Sequence, residues 1–484
     1  MPLKAKILDP RVTSRAQMST GDVKQKIRPS PEDEPEDVLF NNLYGLRTVE
    51  LNRPQKLNSL NASMIRKIVP RLVEWEKSDM ANVVVMKGVG DKAFCAGGDV
   101  MALALQNREG PEGQQKSADY FALEYKLNHY IATYKKPYVA FMDGITMGGG
   151  VGLSIHAPFR IATERTTFAM PETTIGFFPD VGASYFLPRL PGSIGKYLAL
   201  TSERLTGANV FYTGIATHYL HSTSLTSLEN RLAELRFRDY DSMEMRLKII
   251  EMTIEEYATG LPPLDKEPIK LAGELRRAID RCFSKTNVPE IMAALEREEG
   301  STKQWAVKTL ETLHKRSPTS VYVSCKQMDI AKNWSISETF QREYQIAAHF
   351  MRHPDFTEGV TSLLSKPQRT PQWTPATLED ITDPIAAEPF FQKSAMTEGL
   401  ELLVERDYTN NYPYTYVGVP SEQEVQQLVS EGTRSRREIV DEFVQRKNGR
   451  QGIATIVQEI LRRSTAVDEN GHAQWVYENQ GPTI

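Results

Sequence analysis

The stretch from Lys136 to Asp180 most constrains what this chain can become. It begins KPYVAFMDGITMGGGVGLSIH and ends FAMPETTIGFFPDVGASYF. Tyr138, Val139, Ala140 and Phe141 form a short apolar run that reads as a strand. The triplet Gly148-Gly149-Gly150 follows, and Val151-Gly152-Leu153 opens a helix. Strand, glycine turn and helix leave backbone N–H groups pointing outward, unshielded by side chains. Such groups bind an anion, or an oxygen that becomes anionic during a reaction. No G-x-x-x-x-G-K-[ST] occurs and G-x-G-x-x-G is not satisfied here, which argues against a nucleotide phosphate loop. A glycine turn made only for close packing is the plain alternative.

A second glycine turn follows the apolar run at 82–86, in KAFCAGGDV from Lys92 to Val100. Two such turns can each supply one N–H to the same oxygen, a two-donor oxyanion hole suited to an acyl carbonyl. Four ordered segments, LNRPQKLNSL, AFCAGGDV, GITMGGGVGLS and MPETTIGFFPDVG, together resemble the crotonase (enoyl-CoA hydratase/isomerase) superfamily. The FPDVG ending and the following YFLPRLPGSIGKYLALTSERLTG are similar to its 3-hydroxyisobutyryl-CoA hydrolase branch. The resemblance runs from about residue 39 to 380. It implies an α/β fold with a spiral core of ββα units, followed by helices that fold back over the active site.

Periodicity supports that class independently. Residues 38–51 read as a hairpin around Gly45, and Asn61 caps a helix whose Ile65, Ile68, Leu72 and Trp75 recur at helical spacing. Residues 159–162 read as a further strand, whereas from Ser193 onward helical patterns replace strands. A Pro-rich passage at 366–384, with Trp373 as its anchor, closes the region of resemblance. Beyond it, TNNYPYTYVGVP reads as an extended aromatic surface segment. Ser421 and Glu424 form a capping box, and three amphipathic helices follow. The expected organisation is therefore a basic tail and acidic linker at 1–37, a spiral core at 38–192, a helical part at 193–384 and a helical C-terminal extension at 385–484.

The resemblance implies thioester chemistry on a small 3-hydroxyacyl-CoA, with the Gly98 and Gly149 N–H groups as oxyanion donors. Glu172, preceded by Pro171 and set among Phe168, Met170, Phe177 and Phe178, is the expected base, since apolar surroundings raise a carboxyl toward neutrality. Asp180 is expected to hold the substrate 3-hydroxyl or assist proton transfer; a helix cap is its plain alternative. Glu124 would ordinarily be an exposed helix residue, yet its position matches one that faces the acyl pocket. Coenzyme A should lie along residues 51–60 and 94–98, with Lys56 toward a phosphate and the Ala96 carbonyl toward the adenine. The basic residue usual after Arg-Pro is replaced by Gln55, so Lys56 stands one place late. Hydratases of the superfamily carry a second glutamate just after the triplet, where this chain has Gly152. That favours hydrolysis over hydration, with a one-acid isomerase as the remaining alternative.

No cofactor beyond the substrate's own coenzyme A is expected. Cys95, Cys282 and Cys325 are widely spaced, His218 and His221 fit no metal spacing, and no apolar run reaches the ~18 residues of a membrane span. With 58 basic against 62 acidic residues, bulk charge gives no case for nucleic acid. The exceptions are local. Residues 1–28 are basic and acid-poor, like a mitochondrial presequence, which points to the matrix. Arginines at 434, 436, 437, 446, 450, 462 and 463, with Lys447, decorate the C-terminal helices. They read either as a solvated face or as a docking module for a protein or RNA partner. Some fungal relatives of the branch belong to the small subunit of the mitochondrial ribosome, so the resemblance implies that role as the alternative to, or companion of, catalysis in valine breakdown.

Overall fold

The chain crosses back and forth between two sheets. The computed structural model describes residues 27–381, 387–392 and 399–477, so the basic tail and the expected boundary at 384/385 lie outside the described residues. β1 (Val38–Leu43) and β2 (Leu46–Leu51) form the antiparallel hairpin, with Val38 opposite Leu51. α1 (Ala62–Lys77) follows, its Asn61 side chain accepting the Met64 N–H at 2.8 Å as the capping pattern requires. β3 (Val83–Gly88), β5 (Tyr138–Met142) and β7 (Phe159–Ala162) extend the hairpin as parallel neighbours, ending in a two-residue strand β10 (His218–Tyr219). β4 (Ala93–Cys95), β6 (Ile145–Met147), β8 (Thr167–Ala169) and β9 (Leu205–Thr206) make the second sheet. From β3 to β8 successive strands alternate between the sheets, which is the spiral of the expected class.

Here the strand assignments need correction. The runs at 83–88 and 138–142 belong to the six-stranded sheet and do not lead straight into the glycine turns. Each is followed by a three-residue strand of the other sheet, and it is from those that the turns emerge. The region after Ser193 is mainly helical, but β9 and β10 show that it also closes both sheet edges.

The acidic passage at 29–37 is likewise not an unstructured linker. Glu34 pairs with buried Arg53 at 3.1 Å, and Asp33 and Asp37 pair with Arg66 and Lys67 of α1. Cations some thirty residues away in sequence turn a solvated acid run into an ordered lead-in.

α2 (Val100–Asn107) and the long α3 (Pro111–Ala132) follow the first glycine turn and pack against each other. Of the helices that follow, four matter here: α4 (Gly149–Ser154), α5 (Gly273–Phe283), α6 (Ile336–Phe350) and α7 (Pro354–Leu364). The C-terminal helices α8 (Glu422–Ser430), α9 (Arg436–Arg446) and α10 (Ile453–Ser464) stand where the sequence puts them, α8 with its capping box. Their buried Val425, Leu428, Ile439, Phe443, Ile453 and Val457 join the same hydrophobic core as the spiral.

The arginines of this extension divide into two sets. Arg450 and Arg463 are buried, so the surface reading fails for both. Arg463 and Arg276 of α5 enclose Glu422, and Arg450 reaches Glu251 at 3.1 Å and the Val417 carbonyl at 2.6 Å. Arg437, Arg446 and Arg462 remain exposed. The aromatic segment is also not a free surface strip. Tyr408 and Tyr412 pack against Tyr185 at ring distances of 5.5 and 5.0 Å, and Val417 is buried. Trp373 does anchor its segment, donating to the Lys315 carbonyl at 3.3 Å. No helix among the described residues is long and apolar enough to cross a membrane.

Candidate functional site

Three short parallel strands build the site. β4 pairs with β6 and β6 with β8 (Met147 opposite Ala169), so the loops leaving their carboxyl ends open on one side of the sheet. Those loops carry Gly98, Gly149 and Glu172. The end of a parallel sheet is where open α/β structures bind ligands.

The glycine geometry leaves two donors free. Leu60 bridges the first loop: its N–H donates to Gly97 O at 2.8 Å, and its carbonyl accepts from Asp99 N–H at 2.9 Å. In such a bridge the intervening Gly98 N–H points away from Leu60. Gly148, at φ +45°, turns the second loop so that Gly149 is the first residue of α4, where the N–H has no intrahelical acceptor. Among the described residues neither the Gly98 nor the Gly149 N–H has an internal acceptor. A Cβ built on Gly149 would lie 3.4 Å from Gly98 N, which brings the two donors to one spot. They can bind a single oxygen that gains negative charge.

Four carboxyls crowd this spot, all nearly inaccessible: Glu124 of α3, Glu172, Asp180 and Glu343 of α6. Glu172 Oε1 would be 3.2 Å from a Cβ on Gly148, and Glu124 Oε1 2.5 Å from one on Gly149. Among the described residues Glu124 Oε1 and Glu172 Oε2 have no hydrogen-bond partner. Burial drives the Glu172 carboxyl well above its usual range, and the neighbouring Asp180 charge pushes the same way. Burial, then Asp180, raises Glu124 likewise. Asp180 itself is raised by burial to about 7, although the Tyr125 hydroxyl donates to its Oδ2 at 2.7 Å and opposes the rise. Burial also raises Glu343, to about 8. Burying a charge costs several kcal/mol, so each of these carboxyls binds a proton more tightly than a solvated one does.

The turn bearing Asp180 is strained and heavily braced. Val181, a β-branched residue, sits at φ +55°, a conformation costing about 1–3 kcal/mol. Glu343 accepts the Gly182 and Ser184 N–H groups at 2.7 and 2.8 Å. Gln327 donates to Pro179 O at 2.7 Å, and His156 Nε2 lies 2.9 Å from Val181 O. The following helix starts at Ala183 with Gly182 as its N-cap, so Asp180 is not its cap.

Of the positions expected from sequence, Gly98, Gly149, Glu124, Glu172 and Asp180 come together. Glu124 is buried, which removes the exposed-helix alternative for it. Lys56 and Ala96 lie further out, on loops joined by the Ala96 N–H to Leu57 O bond of 3.0 Å. Lys56 is exposed and paired with Asp99 at 3.3 Å, so a phosphate there would compete with that carboxylate. At Gly152 a Cβ would stand 2.7 Å from Val181 Cβ and 2.8 Å from Asn128 Nδ2, leaving no room for a second glutamate. Cys95 is buried and its thiol pushed up to about 12 by burial, which removes it as a nucleophile. His218 is buried and His221 exposed, and among the described residues no group of three potential ligands could hold a metal.

Tyr125, His156, Gln327 and Glu343 were not identified from sequence. Tyr125 adjoins Glu124, but nothing local marks the others, whose partners lie 25 to 161 residues away. A separate cavity of about 610 Å³ lies behind His156, between Arg160, Arg189 and the 411–424 segment, and none of the four carboxyls lines it.

Comparison with known proteins agrees with this geometry. The family model described as enoyl-CoA hydratase/isomerase matches residues 46–391. The small ribosomal subunit protein mS47 of Neurospora crassa is 56% identical over 98% of this chain and 94% of its own length. The mitochondrial 3-hydroxyisobutyryl-CoA hydrolase of Danio rerio is 43% identical over 72% of this chain and 87% of its own. Among solved structures, a carnitinyl-CoA dehydratase from Mycobacterium thermoresistibile superposes with a TM-score of 0.65 at 32% identity. It covers 76% of this chain and 100% of its own.

Proposed function

The chain belongs to the enoyl-CoA hydratase/isomerase family, and from that premise we propose that it hydrolyses 3-hydroxyisobutyryl-CoA to the free acid and coenzyme A. The observation that carries this reading is the unpartnered carboxyl oxygen of Glu172 beside two free backbone N–H groups, with no space at Gly152 for a second glutamate.

The thioester carbonyl oxygen accepts hydrogen bonds from Gly98 N–H and Gly149 N–H. Glu172, as carboxylate, takes a proton from water while the water oxygen adds to the carbonyl carbon. The negative charge collects on the oxygen between the two amides, each worth about 3 kcal/mol in the barrier. Collapse of the intermediate breaks the C–S bond, and the proton on Glu172 passes to the departing sulfur. Asp180, oriented by Tyr125, accepts the substrate 3-hydroxyl, and Glu124, whose carboxyl burial pushes up, closes the acyl side of the pocket. The raised carboxyls suit this proton traffic near neutral pH. Named hydrolase relatives at 43% identity support the acyl group and a mitochondrial location, and valine breakdown is the proposed setting of the reaction.

The test is a panel followed by thiol release. 3-Hydroxyisobutyryl-CoA should be cleaved, isobutyryl-CoA more slowly, and the corresponding 2-enoyl-CoA should not be hydrated. Hydration of the enoyl thioester without thiol release would overturn the assignment.

A second reading is supported by one observation, the 56% identity to a ribosomal small-subunit protein over nearly the whole chain, extension included. It concerns the exposed Arg437, Arg446 and Arg462 of α9 and α10, none of which belongs to the carboxyl cluster, so both roles fit one molecule. Cosedimentation of the protein with mitochondrial small subunits, lost when Arg437, Arg446 and Arg462 are changed together to Glu, would support it; migration free of subunits would count against it.

A further inference from the structure

Residues 406–417 lie beyond the part matched by the family model, yet they reach the catalytic turn. Arg406 pairs with Glu76 at 2.7 Å, and the Arg406 carbonyl meets His129 Nε2 at 3.0 Å. Further along, Tyr185 donates to Thr409 O at 3.1 Å, and Arg189 donates to Thr409 O and Asn410 O at 2.8 and 3.1 Å. At its far end Arg450 donates to Val417 O at 2.6 Å, so the segment is fixed as a strap at both ends. At its centre the Tyr412 hydroxyl lies 2.8 Å from His156 Nδ1.

The other side of that imidazole is the important one. His156 Nε2 lies 2.9 Å from Val181 O. A carbonyl only accepts, so Nε2 carries the proton and Nδ1 accepts from the Tyr412 hydroxyl. The ring is edge-on to Phe340, with centroids 5.5 Å apart, and Gly182 leaves the space against which it lies. Tyr412 therefore selects the one neutral tautomer that can hold the strained Val181 peptide, next to Asp180.

We propose that this strap is a positioning element of the active site: through Tyr412 and His156 it fixes the Val181 carbonyl, and with it the Asp180 carboxyl that receives the substrate hydroxyl. Neither residue touches substrate; both act through the turn. The kinetic part rests on the hydrolase reading above, whereas the structural part stands without it.

Two readouts separate them. Tyr412→Phe removes only the hydroxyl and keeps the ring packing. Hydrogen exchange at the amides of residues 180–186 should accelerate about tenfold, and kcat for 3-hydroxyisobutyryl-CoA should fall about tenfold with KM little changed. Turnover of isobutyryl-CoA, which lacks the hydroxyl, should fall less. His156→Gln, which retains an N–H for Val181 O, should protect the turn better than His156→Leu. Wild-type exchange in Tyr412→Phe would overturn the proposal, and so would faster exchange with unchanged kcat. Should the wild-type chain release no coenzyme A, the hydrolase reading fails, and the exchange comparison alone decides whether the strap holds the turn.

Discussion

Replacing Gly149 with alanine separates catalysis from folding at a single methyl. Gly149 is the first residue of α4 and does not have a positive φ, so alanine is compatible with its backbone and should gain about 0.5–1 kcal/mol in helix propensity. The methyl, however, enters the space between the two amide donors. It would stand 3.4 Å from Gly98 N, an ordinary contact, but 2.5 Å from Glu124 Oε1, which has to move aside. An oxyanion belongs about 2.7–3.1 Å from both donors, so the methyl competes with it directly. Loss of one donor costs about 2.7–4 kcal/mol, or about 10²–10³ in kcat. Steady-state coenzyme A release should therefore fall by at least about 100-fold while the melting temperature stays near wild type. The neighbouring Gly150→Ala is the contrast. Its Cβ would fall inside the Cys95 backbone carbonyl, which no side-chain rotation relieves, so this variant should fold poorly. A Gly149→Ala enzyme with kcat within about threefold of wild type would refute the two-donor geometry.

Other expectations follow from the same contacts. Glu172→Gln should abolish turnover yet raise the melting temperature at pH 8, because a neutral amide avoids the burial cost of an unpartnered carboxylate; an unchanged or lower value would argue against that cost. The sign for Asp180 is the same. Its folded value of about 7 lies above the ordinary value of 3.8, so the folded chain binds the proton more tightly and stability is lost as pH rises between about 4 and about 7. Chemical denaturation across that window should show a shallower loss in Asp180→Asn, and identical slopes would contradict the assignment. Glu422→Gln removes the carboxylate that Arg276 and Arg463 share, leaving each with its second partner, Asp280 or Glu459, which should cost about 1.5–3 kcal/mol; limited proteolysis should then release the C-terminal helices faster, and unaltered resistance would show that they are held by apolar packing alone. Gly152→Ala should destabilise the chain despite its helical position, because the added methyl meets Val181 and Asn128; a stabilised variant in thermal melts would show that the contact yields.

What could be read from sequence tracked length and local pattern. The hairpin at 38–51, α1 with its Asn61 cap and the apolar strands at 83–88 and 138–142 carry five or more residues of signal each. β4, β6 and β8 carry three residues each, too few for any period, although they are the strands that aim Gly98, Gly149 and Glu172. The positions of the candidate site were legible only through the glycine turns and the MPETTIGFFPDVG motif. Their support was not: Glu343 reaches Gly182 across 161 residues, and Tyr412 reaches His156 across 256. The same distance effect explains the two misread surfaces. The acids at 33–37 and the arginines at 450 and 463 look solvated in a local window, but their partners come from elsewhere in the chain. Likewise, the tyrosines of the 408–412 segment look exposed until the Tyr185 ring is placed beneath them.

The most direct measurement of the central claim is release of free coenzyme A from 3-hydroxyisobutyryl-CoA by the wild-type chain and by Glu172→Gln, side by side. The account predicts turnover in the wild type and a loss of at least about 10³-fold in the variant, with the fold intact. Equal rates in the two proteins would contradict a glutamate-activated water, and no release from either would remove the hydrolase assignment.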